Sequence, residues 1–311
     1  MTTEAPLSLT YHALLADYSV LVMPVLEQNE EKYALPLGLC YRLQQTSQAE
    51  QPKPLMVSIS SRADELRASA LRTSLHYLIV QSEPLCEPAL DLLANSLAER
   101  GIALPGVTGV SDASDCFARS WEGYTSAAAS LETRQRAYAL RELKPQQTPL
   151  GELTKAQPEH AILILEWLLA MIAETGSANQ SAWTISEVST LIQDGNACLW
   201  RVGEEPAAMA FFNRHTRRSV AISGVYTDPE KRGRGYATAL VAGMCGQELA
   251  SGREFVTLFT DAENPVSSHD RSHGFCTNRA SRFLWLRSLA GSGPSSSIRR
   301  AQRCTLCANV L

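Results

Sequence analysis

Residues 221–249, AISGVYTDPEKRGRGYATALVAGMCGQEL, constrain this chain more than any other stretch. An apolar strand ends at Tyr226, the turn Thr227-Asp228-Pro229-Glu230 follows, and Lys231-Arg232-Gly233-Arg234-Gly235 leads at once into a helix. The helix sets Ala237, Leu240, Val241, Met244 and Cys245 three and four residues apart, and so on one face. Two glycines just before a helix let the backbone approach an anion closely. The first helical N–H groups lack partners inside the helix and lie at its positive end. Arg232 and Arg234 add charge-assisted donors. The strand-before, helix-after context favours a pyrophosphate cradle over the plainer reading of a loop with solvated Lys and Arg.

The 311 residues suffice for two domains of ordinary size, and 45% apolar with 19% charged residues lets both bury a core. The first half alternates helices and strands. Residues 17–27 and 29–43 read as helices with Pro24 and Pro36 as breaks, and 55–59 and 75–80 as short strands. A helix at 84–100 is stopped by Gly101, LPGVTG at 104–109 is turn-rich, and a helix at 113–124 and a strand at 134–143 follow. No phosphate-cradling glycine turn occurs in this half. The polar segment KPQQTPLG at 144–151 is the expected joint. Beyond it the pattern predicts helices at 158–174 and 185–194, and strands at 197–202 and 206–213 joined by a hairpin at Gly203. A strand at 219–226, a helix at 235–251 closed by Gly252, a strand at 255–259, a helix opening at Asn264-Pro265 and a strand at 282–286 complete it. No internal repeat shows in the sequence.

Composition excludes several roles. The longest apolar run, 161–173, is interrupted by Glu166 and is shorter than the roughly 20 residues of a membrane span. The N-terminus has no basic start and no apolar block, so the expected location is cytoplasmic, and no membrane partner is expected. The eight cysteines stand mostly singly in apolar segments, as reduced core thiols do. All 32 acidic residues lie at or before Asp270, whereas 271–311 hold seven Arg and no acid. The acidic body argues against a nucleic-acid surface. His12, His76, His160 and His215 stand alone. Trp121, Trp167, Trp183, Trp200 and Trp285 sit in apolar contexts and read as packing, with a place lining an acceptor site still open for one of them.

Arg232, Gly235 and Ala237 match the signature of the GCN5-related N-acetyltransferases (GNAT): Arg or Gln, two residues, Gly, one residue, Gly or Ala. The wider text VYTDPEKRGRGYA with LFTDAENPVSSH resembles a bacterial subgroup of that family in which a degenerate domain precedes the transferase. LPGVTG with Trp121, and RQRAYALREL at 134–143, resemble that leading half. The resemblance implies a mixed α/β chain. Residues 1–143 would form a smaller degenerate GNAT-like domain, 144–151 a linker, 152–288 a GNAT acetyltransferase domain and 289–311 a flexible basic tail. It also implies acetyl-CoA as acyl donor, no metal, and a primary amine of a small molecule or peptide as acceptor. The implied cofactor-binding residues are Val225, Tyr226, Thr227, Arg232, Gly233, Arg234, Gly235, Tyr236, Ala237, Thr238 and Asn264. Backbone groups of Val225 and Thr227, on a splayed strand with Gly224 at a bulge, would bond the pantetheine arm. Amides from Gly233 to Thr238 would hold the pyrophosphate. Asn264 would lie near the thioester, and it reads equally as a helix N-cap before Pro265. The Val225 N–H would polarise the thioester carbonyl.

The chain departs from the family where a general-acid tyrosine is expected. The position four residues before Gly274-Phe275 is Asp270, and the expected apolar stripe falls at Val266, His269, Asp270 and His273. A frame change near Ser268, or decay of this copy, accounts for both. Catalytic residues are therefore left unassigned. Glu174 is a candidate base whose alternative is a solvated helix end. His269 and His273 with Cys304 and Cys307 have metal-ligand spacing, but no hydrophobic finger core surrounds them. Two readings stay open. One is an N-acetyltransferase. The other is an impaired acyl-CoA-binding module with a regulatory or dimerising first half, in which a homodimer is allowed.

Overall fold

The computed structural model describes residues 6–45, 53–73, 76–145, 147–175, 183–261 and 276–288. Two compact units emerge. One runs to Arg136 and is joined by residues from Arg279, and the other spans Ala137–Asn278.

The first unit opens with strand β1 (Ser8–Tyr11) and the helix pair α1 (Leu15–Glu27) and α2 (Ala34–Gln45). Strands β2 (Leu55–Ser60), β3 (Leu66–Arg72) and β4 (Leu78–Gln81), helix α3 (Glu87–Glu99), strand β5 (Gly106–Gly109) and helix α4 (Ser111–Tyr124) follow. The sheet runs β1-β2-β3-β4-β5, antiparallel except for the β4–β5 pair, which the α3 crossover makes parallel. Helix α3 buries Ala89, Leu90, Leu93, Ala94 and Leu97 at helical spacing. These join Phe117 and Trp121 of α4 over Val57, Ile59, Leu78 and Val80. Strand β6 (Ala129–Leu140) crosses into the second unit at its end.

Several local expectations needed correction. Pro24 does not break α1. Its ring displaces the carbonyl bond of Val20, and Val20 is 74% exposed, so water can satisfy that carbonyl. Pro36 does not break α2 either, because it lies in the first turn, where its missing N–H would have had no partner. Strands β1 and β3 were not foreseen, the expected strand at 75–80 is β4 at Leu78–Gln81, and β6 begins before residue 134.

The second unit repeats the element order of the first. It runs β7 (Glu152–Lys155), a 3-10 turn (Pro158–His160), α5 (Ala161–Thr175), α6 (Ile185–Gln193), β8 (Ala197–Val202), β9 (Glu205–Asn213), β10 (Ser219–Thr227), α7 (Tyr236–Ala250) and β11 (Phe255–Asp261). A repeat that no sequence pattern reveals is thus present in the topology: strand, helix pair, three strands, helix, strand. The sheet order is β11-β10-β9-β8-β7, with only β10–β11 parallel. Period-two alternation divides the core. Ala208, Ala210 and Phe212 of β9 face the α7 cluster, and Met209 and Phe211 face α5 and α6. Thr184 and Glu187 close a capping box at the start of α6. Strand β12 (Cys276–Ser288) contains the expected 282–286 strand, and Leu286 and Arg287 pair antiparallel with Val107 and Gly106 of β5. No helix among the described residues is long and apolar enough to cross a membrane.

Three histidines lie below the ordinary imidazole pKa. Burial lowers His12 against a smaller pull from Asp17, and burial with Arg42 and Arg72 lowers His76. Burial, then Arg253, lowers His215, with Glu248 and Asp194 opposing. The folded chain therefore binds fewer protons than the unfolded one below the unfolded value of about 6.5. This stability is full above that value and is lost as the pH falls toward the depressed folded values. The melting temperature is expected to drop between about pH 7 and pH 5.5. His215→Gln, which keeps a donor for Asn196 Oδ1 at 3.0 Å, should flatten the drop. An unchanged slope in that variant would contradict this account.

Candidate functional site

The site begins in β10. Its pairing with β9 sets Ser223 opposite Phe211 and Tyr226 opposite Met209, so β10 holds one extra residue between those pairs. Gly224 takes up the bulge at φ 62°. A Cβ there would strike the ring edge of Phe211, so glycine is required both by conformation and by space. On the other side, β10 and β11 pair from Ser219↔Phe255 only to Ile222↔Leu258, although β10 continues to Thr227 and β11 to Asp261. The two parallel strands fork at this point. Val225, Tyr226 and Thr227 lie on the arm of the fork that leads to the turn.

The turn is held by its own first residues. Asp228 Oδ1 accepts from the Glu230 amide at 3.1 Å, and its carbonyl accepts from the Lys231 amide at 2.8 Å. Lys231 Nζ reaches Glu205 Oε2 at 3.0 Å and the Pro206 carbonyl at 2.9 Å, tying the turn to β9. Gly233 and Gly235 both have left-handed backbones, at φ 78° and 80°. A Cβ at Gly233 would meet nothing within 4 Å, and one at Gly235 would meet only Pro149 Cγ at 4.0 Å. The surface of the turn is open, and Gly233, Arg234 and Gly235 are exposed. Gly235 is the N-cap of α7 and supplies no side chain. The first amide of α7 with a carbonyl partner is that of Ala239, which donates to Gly235 at 3.0 Å. The amides from Gly233 to Thr238 have no backbone partner among the described residues. Donors without a partner among the described residues thus line the positive end of a fifteen-residue helix. Below them, Tyr236, Ala239, Leu240, Val241, Met244 and Cys245 anchor the helix in the core.

Arg232 has a different environment from Arg234. Its Nε donates to the Thr227 carbonyl at 3.1 Å, and its terminal nitrogen donates to both Glu174 carboxylate oxygens at 2.9 Å. Its guanidinium also lies over the Tyr226 ring, 5.1 Å from the centroid. The Tyr226 hydroxyl donates to Glu174 Oε1 at 2.9 Å, and the Tyr226 ring contacts Trp167 of α5. Burial, reinforced by the Glu174 carboxylate, raises the Tyr226 phenol and keeps it a donor. Glu174 is exposed at the end of α5 but is not an unpaired base. It joins α5 to the end of β10 and to the turn. Nothing local in the sequence reveals this link, since Glu174 and Arg232 are 58 residues apart.

A second feature not foreseen lies on the α5/α6 side of the sheet. Asn213 Nδ2 donates to Ser223 Oγ at 2.8 Å, while Asn213 Oδ1 and Thr257 Oγ1 are buried without a hydrogen-bond partner among the described residues. Asn213 and Thr257 flank Ala221 in register. Trp121 is in the core of the first unit, and Trp167 and Trp200 are in the core of the second. Asn264, Asp270, His269, His273, Gly274-Phe275, Cys304 and Cys307 lie outside the described residues.

The model of the acetyltransferase (GNAT) family matches residues 165–275. A sequence comparison with the curated proteins finds no match. Among solved structures, a Drosophila protein is similar at a TM-score of 0.64 and 12% identity, over 90% of this chain and 98% of its own. A GCN5-related N-acetyltransferase from Sphaerobacter thermophilus is similar at 0.61 and 14% identity, over 91% and 96%. A tandem GNAT protein from the clavulanic acid biosynthesis pathway is similar at 0.54 and 12% identity, over 94% and 100%. At these identities the likeness is one of fold, and it extends along most of the chain.

Proposed function

We propose that the chain, whose residues 165–275 match the model of the acetyltransferase (GNAT) family, transfers an acetyl group from acetyl-CoA to a primary amine of a small molecule or peptide. The observation that carries this reading is the run of unpartnered amides from Gly233 to Thr238, reached from a forked strand. Those amides would hold the pyrophosphate, with Arg234 adding an exposed charge. Backbone groups of Val225 and Thr227, on the arm of β10 that β11 has left, would hold the pantetheine. Bound acetyl-CoA supplies a thioester whose acetyl carbon passes to the amine nitrogen as the carbon–sulfur bond breaks. The Val225 amide, beside the bulge, would polarise the carbonyl. A proton must leave the amine and one must reach the thiolate. Glu174 does not take the first role while it is paired with Arg232.

A second reading rests on Asp270 standing where the family pattern has a tyrosine. In it, the chain holds acyl-CoA without turning it over, and the first unit acts as a regulatory or dimerising part. Thermal unfolding with acetyl-CoA tests what the two readings share. A ligand at one hundred times its Kd stabilises by about 2.7 kcal/mol, so the melting temperature is expected to rise, and adenosine 3′,5′-bisphosphate should give part of the shift. No shift at millimolar ligand would remove both readings. Thiol release from acetyl-CoA across a panel of amines then separates them. Release that depends on an amine supports transfer, and none with any amine supports the binding module.

A further inference from the structure

The base of the fork carries hydrogen-bonding atoms that the fold leaves unused. Ile222 and Leu258 make the last pair of the parallel ladder, so Ser223 is the first residue of β10 beyond it, and Thr257 lies one residue inside it on β11. Ala221 pairs with Asn213 on one side and with Thr257 on the other, and Ser223 pairs with Phe211, which packs in the α5/α6 cluster. By period-two alternation Asn213, Ser223 and Thr257 therefore share the α5/α6 face, around the single methyl of Ala221. Ser223 is 6% exposed and Thr257 1%. Ser223 Oγ accepts from Asn213 Nδ2, while Asn213 Oδ1 and Thr257 Oγ1 are buried with no partner among the described residues. Leaving one buried polar group unpaired costs about 1–3 kcal/mol, so two of them beside one fork mark a place that a bound group completes.

The chemistry of that group follows from what the three side chains offer, an amide oxygen and two hydroxyls, all neutral. The charged groups on this side are engaged elsewhere. The Glu174 carboxylate accepts from Arg232 and from Tyr226, whose phenol burial and that carboxylate keep protonated. Arg141 and Arg218 lie over the Phe255 ring, with Arg218 paired to Glu254, and Arg214 lies over the Phe259 ring, 4.8 Å from its centroid. None of Asn213, Ser223 and Thr257 bonds a carboxylate among the described residues. An ammonium entering from water would find hydrogen bonds here without a counter-charge, and an unpaired buried charge is costly. A neutral primary amine suits the same atoms. Its two N–H groups match two acceptor oxygens, and its lone pair stays free.

We infer that the base of the fork is where the acceptor amine is received, that Asn213, Ser223 and Thr257 position it, and that it arrives uncharged. The substrate class is then a weakly basic primary amine, an arylamine or an α-amine, and not a lysine-like alkylamine. This rests on the acetyl-transfer reading above. The neutral amine forms its bond to the acetyl carbon as the carbon–sulfur bond breaks, and the proton that nitrogen gives up is the one that the thiolate takes, so amide and thiol form with no net proton. At pH 7.5 roughly a third of an α-amine of pKa about 7.8 is neutral, against about 0.1% of an alkylamine of pKa about 10.4.

Thiol release from acetyl-CoA by the full chain tests this, over a panel of primary amines that includes aniline, alaninamide and Nα-acetyllysinamide. At pH 7.5, kcat/KM is expected to be at least about a hundredfold higher for aniline or alaninamide than for Nα-acetyllysinamide. For Nα-acetyllysinamide it should rise about tenfold per pH unit from pH 7 to 9, as the neutral form grows. Thr257→Val removes one hydroxyl and should raise the amine KM about three- to tenfold, with CoA affinity by calorimetry unchanged. Asn213→Asp sets a carboxylate in the same place. It should cut the preference against Nα-acetyllysinamide at least about tenfold and flatten its pH profile. If Asn213→Asp does not fold, Thr257→Val and the parent pH profile still decide. No release with any amine, while CoA still binds, overturns the transfer reading itself. Release that is fastest with Nα-acetyllysinamide and level from pH 7 to 9 overturns the uncharged-amine inference and leaves transfer intact. So do variants that lower the melting temperature but keep the parent KM and amine preference, since groups that only hold a water would behave in that way.

Discussion

Gly224→Ala is expected to destabilise the chain by about 2–5 kcal/mol, a large part of the 5–15 kcal/mol that a folded domain has. Two costs combine. At φ 62° an alanine sits in the left-handed region, which disfavours any Cβ by about 1–2 kcal/mol. The same Cβ is driven into the ring of Phe211, which is 1% exposed and packed against Met209, Leu199 and Tyr226, so it has nowhere to retreat. Urea denaturation measures the loss. In a double-mutant cycle, Phe211→Leu should recover the packing part but not the backbone part. An alanine variant as stable as the parent would mean that β10 has no bulge at Gly224.

Gly235→Leu is expected to do the reverse, with little loss of stability and a loss of CoA affinity beyond a hundredfold. A side chain at Gly235 meets nothing closer than Pro149 Cγ at 4.0 Å, so only the backbone cost at φ 80°, about 1–2 kcal/mol, should appear on unfolding. The leucine would cover the open face of the turn beside the unpartnered amides. Two lost charge-assisted bonds, at about 1.5–3 kcal/mol each, already exceed a hundredfold. Gly203→Leu is the matched control. Gly203 has φ 62° and open space around it, but it sits in the hairpin between β8 and β9. It should show a similar drop in melting temperature with unchanged CoA binding. Equal affinity in Gly235→Leu and the parent, by calorimetry at one salt concentration, would remove the cradle.

The strand–turn–helix unit was legible because everything that specifies it is local. The glycines require positive φ, and the stripe at Ala237, Leu240, Val241, Met244 and Cys245 has helical period. The bulge at Gly224 was legible for the same reason. Strand β3, LRASALR, was missed because small residues and arginines hide its alternation, and its burial comes only from neighbours on both sides. Strands β1 and β7 escaped because each is a four-residue stretch at the end of the strand order, half-exposed and mostly polar in the case of β7. Pro24 misled because the penalty for proline in a helix depends on whether the freed carbonyl reaches water, and that is a property of the fold. The Glu174–Arg232 and Lys32–Glu83 pairs join residues 58 and 51 apart in sequence, so no window of residues could have shown them.

The fork between β10 and β11 has a consequence for how the sheet avoids misassembly. Beyond Ile222 and Leu258 the parallel ladder stops, which leaves an edge inside the sheet instead of at its rim. An open edge of backbone donors and acceptors is a template for any extended chain. This one is protected by its brevity: β11 runs only from Phe259 to Asp261 past the last pair. The bulge at Gly224 adds local twist to the facing arm, so an intruding strand would find neither the length nor the flatness needed to keep register. The geometry that separates the arm at Val225–Thr227 from β11 therefore also discourages self-pairing with another copy of the chain.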